Sequence, residues 1–190
     1  MDKVSFGISN VVVAVLTEDA QGNITYGTPI AVPGAVSLNT DPQGADPTIF
    51  YADNIEYYKS PAKNKGYQGN LVVALAKADF LKNIFGVIED SNGVLYENAD
   101  AKFKRFALGF QAEGDEKNRR FWYYDCIATR PSRNHQTVED SPTPDTDSIP
   151  ITMNPRSSDR MVKAVIEETT ENKAVYDAWF ESVHEKTESL

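Results

Sequence analysis

The chain has 190 residues, of which 41% are hydrophobic and 25% charged, with a formal net charge of -9. That length suffices for one domain with a sizeable core, the composition is that of a soluble globular protein, and the acidity excludes a surface built to grip nucleic-acid phosphates. The single cysteine, Cys126, excludes an internal disulfide, and no stretch reaches the roughly 18 apolar residues of a membrane span.

The N-terminus carries an apolar run only at residues 11–16, with no basic n-region and no cleavage site, so no secretory leader is expected. Residues 11–17 are rich in β-branched side chains and predict a buried strand, with a turn at 19–23 and a short return strand at 24–26. Pro29, Pro33 and Gly34 interrupt the chain before an alternating strand at 35–40. Residues 39–49, with Pro42, Gly44 and Pro47, predict a loop, since these residues do not suit a regular ladder. A connection of that length points to a functional loop.

A strand follows at 54–59. The stretch FYADNIEYY, residues 50–58, holds the aromatics Phe50, Tyr51, Tyr57 and Tyr58. Alternation sends Tyr57 and Tyr58 to opposite faces, so two of the four are expected in the chain's own core and the rest against another surface. Residues 66–76 predict a strand with Leu71, Val73 and Leu75 on one face. Residues 78–86 predict a short helix, because Phe80, Leu81, Ile84, Phe85 and Ile88 fall on one face of a 3.6-residue period, with Gly86 as its stop. Asn92-Gly93 is a hairpin turn signal.

Residues 104–111 alternate Phe106, Leu108 and Phe110 against Arg105, Ala107 and Gly109, and pair through a loop at 114–118 with a strand at 120–129. That second strand is apolar on both faces, with Phe121, Tyr123 and Ile127 opposite Trp122, Tyr124 and Cys126. It therefore requires two covering layers, its own core and either a helix or a neighbouring subunit. Residues 131–148 read as an acidic loop, 149–154 and 161–166 as further strands, and 170–185 as a helix with an apolar stripe of Val175, Tyr176, Trp179, Phe180 and Val183. The whole is mostly β with two short helices.

Catalytic signatures are missing from this sequence. It has no HExxH, CxxC, GxSxG, phosphate-binding loop or GxGxxG. His135 lies in a loop and His184 at a helix end, where solvated surface histidine is the ordinary outcome; Cys126, mid-strand among aromatics, reads as buried and inert, with a Cys126–His135 pair as the alternative. Carboxylates are plentiful, which leaves a two-carboxylate hydrolase open by counting alone. Exposed aromatics on a β-domain also suit a carbohydrate-binding module, unless Trp122 and Trp179 are core.

Six stretches, in order and at matching spacing from about Phe6 to Val183, carry a family resemblance. They are FGISNVVVAVLTED…ITYGTPIAVPGAVSLNTDPQG, FYADNIEYY, NKGYQGNLVVALAKADF, EDSNGVLYENADAKFKRFALGFQAEGD, YDCIATRPS and AVYDAWFESV. Together they resemble the phi13-type major tail proteins of long, non-contractile-tailed phages. The resemblance implies a mainly β fold of two packed sheets, sandwich- or barrel-like, with a flanking helix and a C-terminal helix. It implies one tail tube domain over 1–190, with a long loop at 39–53 and a C-terminal segment at 155–190. No enzymatic activity and no cofactor are implied. The subunits are expected to form hexameric rings that stack into a hollow tube around a tape measure protein, between tail terminator and distal tail proteins, in a virion made in the host bacterial cytoplasm. Double-stranded DNA passes through the tube at genome ejection, and no membrane is involved. Another tail ring protein, a terminator or connector, is the nearest alternative.

The resemblance implies a long loop between early strands that contacts the adjacent ring, matched by position to 39–53; that segment and the interface-suited aromatics beside it make Asp41, Asp46, Phe50, Tyr51, Asp53 and Tyr57 candidate inter-subunit contacts. Because an acidic lumen would repel DNA from the wall and let it slide, Glu113, Asp115, Glu116, Glu139 and Asp140 are candidate lumen-facing acids.

Overall fold

The computed structural model describes residues 7–114, 117–135, 137 and 144–187. In chain order the elements are β1 (Ile8–Glu18), β2 (Ile24–Tyr26), β3 (Ile30–Ala31), β4 (Ala35–Ala45), β5 (Ile49–Ala52), β6 (Ile55–Lys59) and β7 (Lys63–Val73). The helix α1 (Ala78–Phe85) and a small hairpin, β8 (Ile88–Glu89) with β9 (Leu95–Tyr96), come next. Then follow β10 (Phe106–Ala112), β11 (Arg120–Ala128), β12 (Ser132–Arg133), β13 (Asp147–Asn154), β14 (Lys163–Ile166) and α2 (Lys173–Asp177).

The fold is mainly β with two helices. Its layers come from one ten-stranded sheet with the path β2-β1-β10-β11-β13-β7-β4, to which β3, β12 and β14 add at β1, β13 and β11. Neighbouring strands pair antiparallel throughout. The sheet curls until β1 comes against β4, its opposite end. Val11 and Val13 of β1, Leu71 and Val73 of β7, and Ile149 and Ile151 of β13 then meet in one buried cluster. The α1 residues Phe80, Ile84 and Phe85 pack into the same cluster. The helix forms as its periodicity predicts and ends at Gly86, whose φ of 70° is the left-handed conformation that stops a helix at little cost without a Cβ.

A second cluster lies on the other face of the sheet. Ala14, Ala107, Trp122 and Tyr124 are covered there by Trp179 and Val183 of the C-terminal segment. Strand β11 is thus covered twice, as its two apolar faces require, and the second cover is the chain's own C-terminus. Gly109 makes room for the Trp122 indole: a Cβ there would lie 2.9 Å from the ring and from Val12.

Three expectations are corrected by tertiary context. Alternation in β11 is broken by a bulge: Phe106 faces Cys126 while Leu108 faces Tyr123, so β11 carries one extra residue. The bulge turns Cys126 into the interior with Tyr123 and leaves Ile127 exposed. Leu75 and Ile88 are exposed as well, since β7 stops at Val73 and Ile88 belongs to β8 instead of the helix stripe.

The expected helix over 170–185 contracts to Lys173–Asp177. Sheet side chains bond carbonyls of this stretch instead. Arg120 donates to the Tyr176 carbonyl, Trp122 Nε1 to the Trp179 carbonyl at 2.9 Å, and Tyr124 Oη to the His184 carbonyl at 2.8 Å.

The third correction concerns the loop at 39–53. Residues 39–45 belong to β4, which pairs with β7 from Ala35↔Val73 to Ala45↔Lys63. Pro42 sits opposite Tyr67 within that ladder. The ladder tolerates it because β4 is the end strand of the sheet path, where a missing N–H costs no pairing.

Candidate functional site

Strands β5 and β6 continue the β4–β7 hairpin beyond the body of the sheet. Thr48 and Ser60 join the two ladders through a 2.9 Å bond from the Ser60 amide to the Thr48 carbonyl. Ile49 then faces Lys59, Phe50 faces Tyr58, Tyr51 faces Glu56 and Ala52 faces Ile55. Asp53 and Asn54 turn the tip with φ of 51° and 63°, the left-handed pair of a tight hairpin turn that Asp and Asn adopt more readily than other side chains. The result is a two-stranded arm. Such a hairpin is marginal alone in water, and this one is anchored by its continuity with β4 and β7.

The arm leaves its apolar side chains uncovered. Phe50, Tyr51, Ile55, Tyr57 and Tyr58 are 60%, 58%, 62%, 70% and 60% exposed. None of the four aromatics of this stretch belongs to the core, which corrects the expectation that two would. Tyr57 is the most exposed because it is the unpaired residue of a bulge, between Tyr58 opposite Phe50 and Glu56 opposite Tyr51. The Tyr51 hydroxyl donates to Glu56 Oε1 at 3.3 Å, which ties the two strands across the arm.

The candidate contact residues therefore gather along one projection. Asp41 is exposed on β4 and accepts from Asn39 Nδ2 at 3.1 Å; Asp46 is exposed where β4 gives way to β5; Phe50 and Tyr51 lie on β5, Asp53 at the tip and Tyr57 on β6. From Asp46 to Tyr58 the arm holds three acids, Asp46, Asp53 and Glu56, and no basic side chain; Lys59, Lys63 and Lys65 stand at its base. Among the candidate lumen acids, Glu113 is exposed just past β10, with its amide donating to the Gly7 carbonyl at 3.3 Å. Asp115, Glu116, Glu139 and Asp140 lie outside the described residues.

A second exposed apolar group escaped the sequence reading. The β8–β9 hairpin pairs Ile88 with Tyr96 and Glu89 with Leu95. Ile88, Val94, Leu95 and Tyr96 are all at least 40% exposed, and Phe103 is 37% exposed. The signal was present in the apolar residues flanking Asn92-Gly93. Its turn forms as predicted, with Asp90 Oδ1 accepting from the Asn92 and Val94 amides and Gly93 at φ 78°.

Residues that could do chemistry are engaged elsewhere. Cys126 is fully buried, its Sγ lies 3.7 Å from the Tyr123 carbonyl, and burial pushes its thiol pKa up, which disfavours a nucleophilic thiolate. His135 is exposed and so is not in Cys126's environment. The buried carboxylates are structural. Asp125 takes two bonds from Arg105, at 2.8 and 2.5 Å, and Asp147 takes two from Arg133, both 2.6 Å, plus one from the Ala76 amide at 2.6 Å. Trp122 and Trp179 are 0% and 3% exposed, so neither is a stacking platform for a sugar. Among the described residues no cluster of three or more His, Cys, Asp or Glu could hold a metal ion, and no helix is long and apolar enough to cross a membrane.

A family model described as phage tail tube protein matches residues 2–157, most of the chain. The chain belongs to the phage tail tube protein family. It is a structural protein of the virion tail, a component of a self-assembling tube. No curated protein matches it. The tail tube match takes in the whole arm, the β8–β9 hairpin and most of the rolled sheet, and ends before β14 and the C-terminal cover.

Proposed function

We propose that this chain is the subunit of a hollow tail tube, of the phi13-type, in a long, non-contractile-tailed phage. Six copies close into a ring, rings stack, and double-stranded DNA travels through the lumen to the host. The chain acts as one domain with no catalytic role. A tape measure protein occupies the lumen during assembly, and terminator and distal tail proteins bound the tube.

The observation that carries this reading is the arm. An ordered hairpin with apolar side chains open on both faces is an association hazard in a protein meant to stay monomeric. In a tail tube protein it is an inter-subunit contact in waiting. Phe50, Tyr51, Asp53 and Tyr57 make that contact, with Asp41 and Asp46 along its base. Aromatics suit the role because they bring large contact area with few rotors to freeze. Each one fully buried contributes about 1.5–3 kcal/mol before the cost of association.

The net charge of -9 supports a wall that does not hold DNA. Glu113, with Asp115, Glu116, Glu139 and Asp140, supplies that wall with negative charge.

Negative-stain electron microscopy of the concentrated protein tests the proposal. Hollow tubes of uniform width are the expected result. Single rings that never stack would assign the chain to a terminator or connector instead.

A further inference from the structure

We propose that the arm's acceptor is the α1/β8–β9 end of the next copy, where Ile88, Val94, Tyr96 and Phe103 cover the arm's aromatics and Lys102 and Lys104 meet its acids. This rests on the tube reading and names the surface that completes it.

Topology places the two groups at opposite ends of the sheet. The arm leaves at Lys63, where β7 begins, and α1 follows Val73, where β7 ends. Eleven residues of strand separate those points, about 35 Å at roughly 3.3 Å per residue. The path from β7 to β10 runs through β13 and β11 by three antiparallel pairings, so β10 begins at the end where β7 stops. Everything from Ala74 to Arg105 therefore hangs at one end and the arm at the other. A copy displaced along β7 brings its arm toward that far end. Two unlike patches joined in this way make a heterologous contact, which repeats without closing and so builds a stack.

The acceptor end is a firm body. Phe103 packs edge-on against Phe85 at 5.2 Å between ring centres, the Lys104 amide donates to the Ile84 carbonyl at 2.9 Å, and Arg130 lies over Phe103 while it pairs with Glu97 at 2.7 Å. Lys82 of α1 bonds Glu89 of β8 at 2.7 Å. Exposed apolar surface on such a frame needs no folding step before it binds.

Charge complementarity selects the arm as the occupant. The outer arm holds Asp46, Asp53 and Glu56 without a compensating cation. Lys102 and Lys104 are exposed on either side of Phe103 and form no ion pair among the described residues. Glu89, Asp90, Glu97 and Asp100 are the nearby like charges, and of these Glu89 is paired with Lys82 and Glu97 with Arg130. Asp90 is already occupied by the Asn92 and Val94 amides and the Tyr96 hydroxyl.

The test places a photo-crosslinking amino acid at position 57 and maps adducts by mass spectrometry, in tubes and in the concentrated soluble protein. Adducts to residues 86–104 of another copy are expected. A second arm of the test uses K102E/K104E, which is expected to reduce tube yield at least tenfold while leaving the circular dichroism spectrum unchanged. Combining it with D53K/E56K is expected to restore most of the yield. Tubes whose adducts fall outside 86–104 would overturn the acceptor and leave the tube reading standing. Absence of assembly by the unmodified chain would sink the tube reading. If the concentrated protein then also gave no adduct in 86–104, the acceptor would fall with it.

Discussion

Residues 50–58, FYADNIEYY, and residues 175–183, VYDAWFESV, are both rich in aromatics, and each holds one Asp and one Glu with no basic residue. In the first, Phe50, Tyr51, Tyr57 and Tyr58 are between 58% and 70% exposed; in the second, Tyr176, Trp179 and Val183 are 4%, 3% and 8% exposed. Composition does not separate them. What separates them is the surface each one meets. The C-terminal stretch lands on Trp122 and Tyr124, with Trp122 edge-on to Phe180 at 6.1 Å, and its carbonyls are held by Arg120, Trp122 and Tyr124. The arm extends past the end of the main sheet, where none of the described residues covers it. Aromatics serve stability in one place and remain available for association in the other.

The sharpest way to break this comparison is to exchange the two behaviours. Trp122→Ala removes the largest buried ring of the sheet and the donor that holds the Trp179 carbonyl. It is expected to cost about 3–5 kcal/mol in urea unfolding, with the C-terminal segment released first. A loss near zero would mean that the segment is not part of the folded unit.

Arg156 gives the next largest effect. It is 5% exposed, pairs with Asp159 at 2.5 Å and Glu185 at 2.7 Å, and stacks over Tyr124 at 4.5 Å. Arg156→Ala is expected to cost about 2 kcal/mol by the same measurement and to raise protease cleavage after residue 170, because it frees the Glu185 end of the cover. Unchanged cleavage would show that the aromatics alone hold that cover.

Alkaline pH probes the same contact without mutation. Burial pushes the Tyr26 and Tyr124 hydroxyls up to about 12 from an ordinary value of 10.0. The neutral phenols are favoured in the folded state, so their stabilisation is complete below pH 10 and is lost as pH rises through about 12. The melting temperature is expected to fall over that window. A melting temperature flat to pH 12 would remove these phenols from the account.

On the arm the expected change in stability is smallest and the change in assembly large. Tyr57→Ala is expected to shift unfolding by no more than about 0.5 kcal/mol. Tyr57→Asp is expected to give the same folded monomer with tube formation reduced at least tenfold, read by light scattering. Loss of folding in either variant would place Tyr57 in the core and collapse the contrast between the two stretches.

Much of the fold is legible in single stretches of sequence. The alternation of Phe106, Leu108 and Phe110 predicts β10 and its inward face, and Asn92-Gly93 predicts a turn that forms. The 3.6-residue spacing of Phe80, Ile84 and Phe85 predicts α1 and its buried side. These signals are local because side-chain direction follows backbone period. The candidate contacts were legible as a neighbourhood, Asp41 to Tyr57, though not as a hairpin. Pro42 and Gly44 argue for a loop when read alone, and only the position of β4 at the end of the sheet makes a strand there possible. The exposed β8–β9 residues were illegible for the complementary reason: an apolar pair such as Leu95-Tyr96 reads the same whether covered or open.

Local pattern was enough for a mainly β chain, the pairing of 104–111 with 120–129 and the short helix after β7. Tertiary structure alone decided the bulge that turns Cys126 inward, the contraction of the C-terminal helix and which of two aromatic stretches stays exposed. Local propensity acts over a few residues, whereas covering a surface depends on what the rest of the chain brings within contact distance. Trp122 and Trp179 meet across 57 residues, and the aromatics of the arm stay uncovered among the described residues.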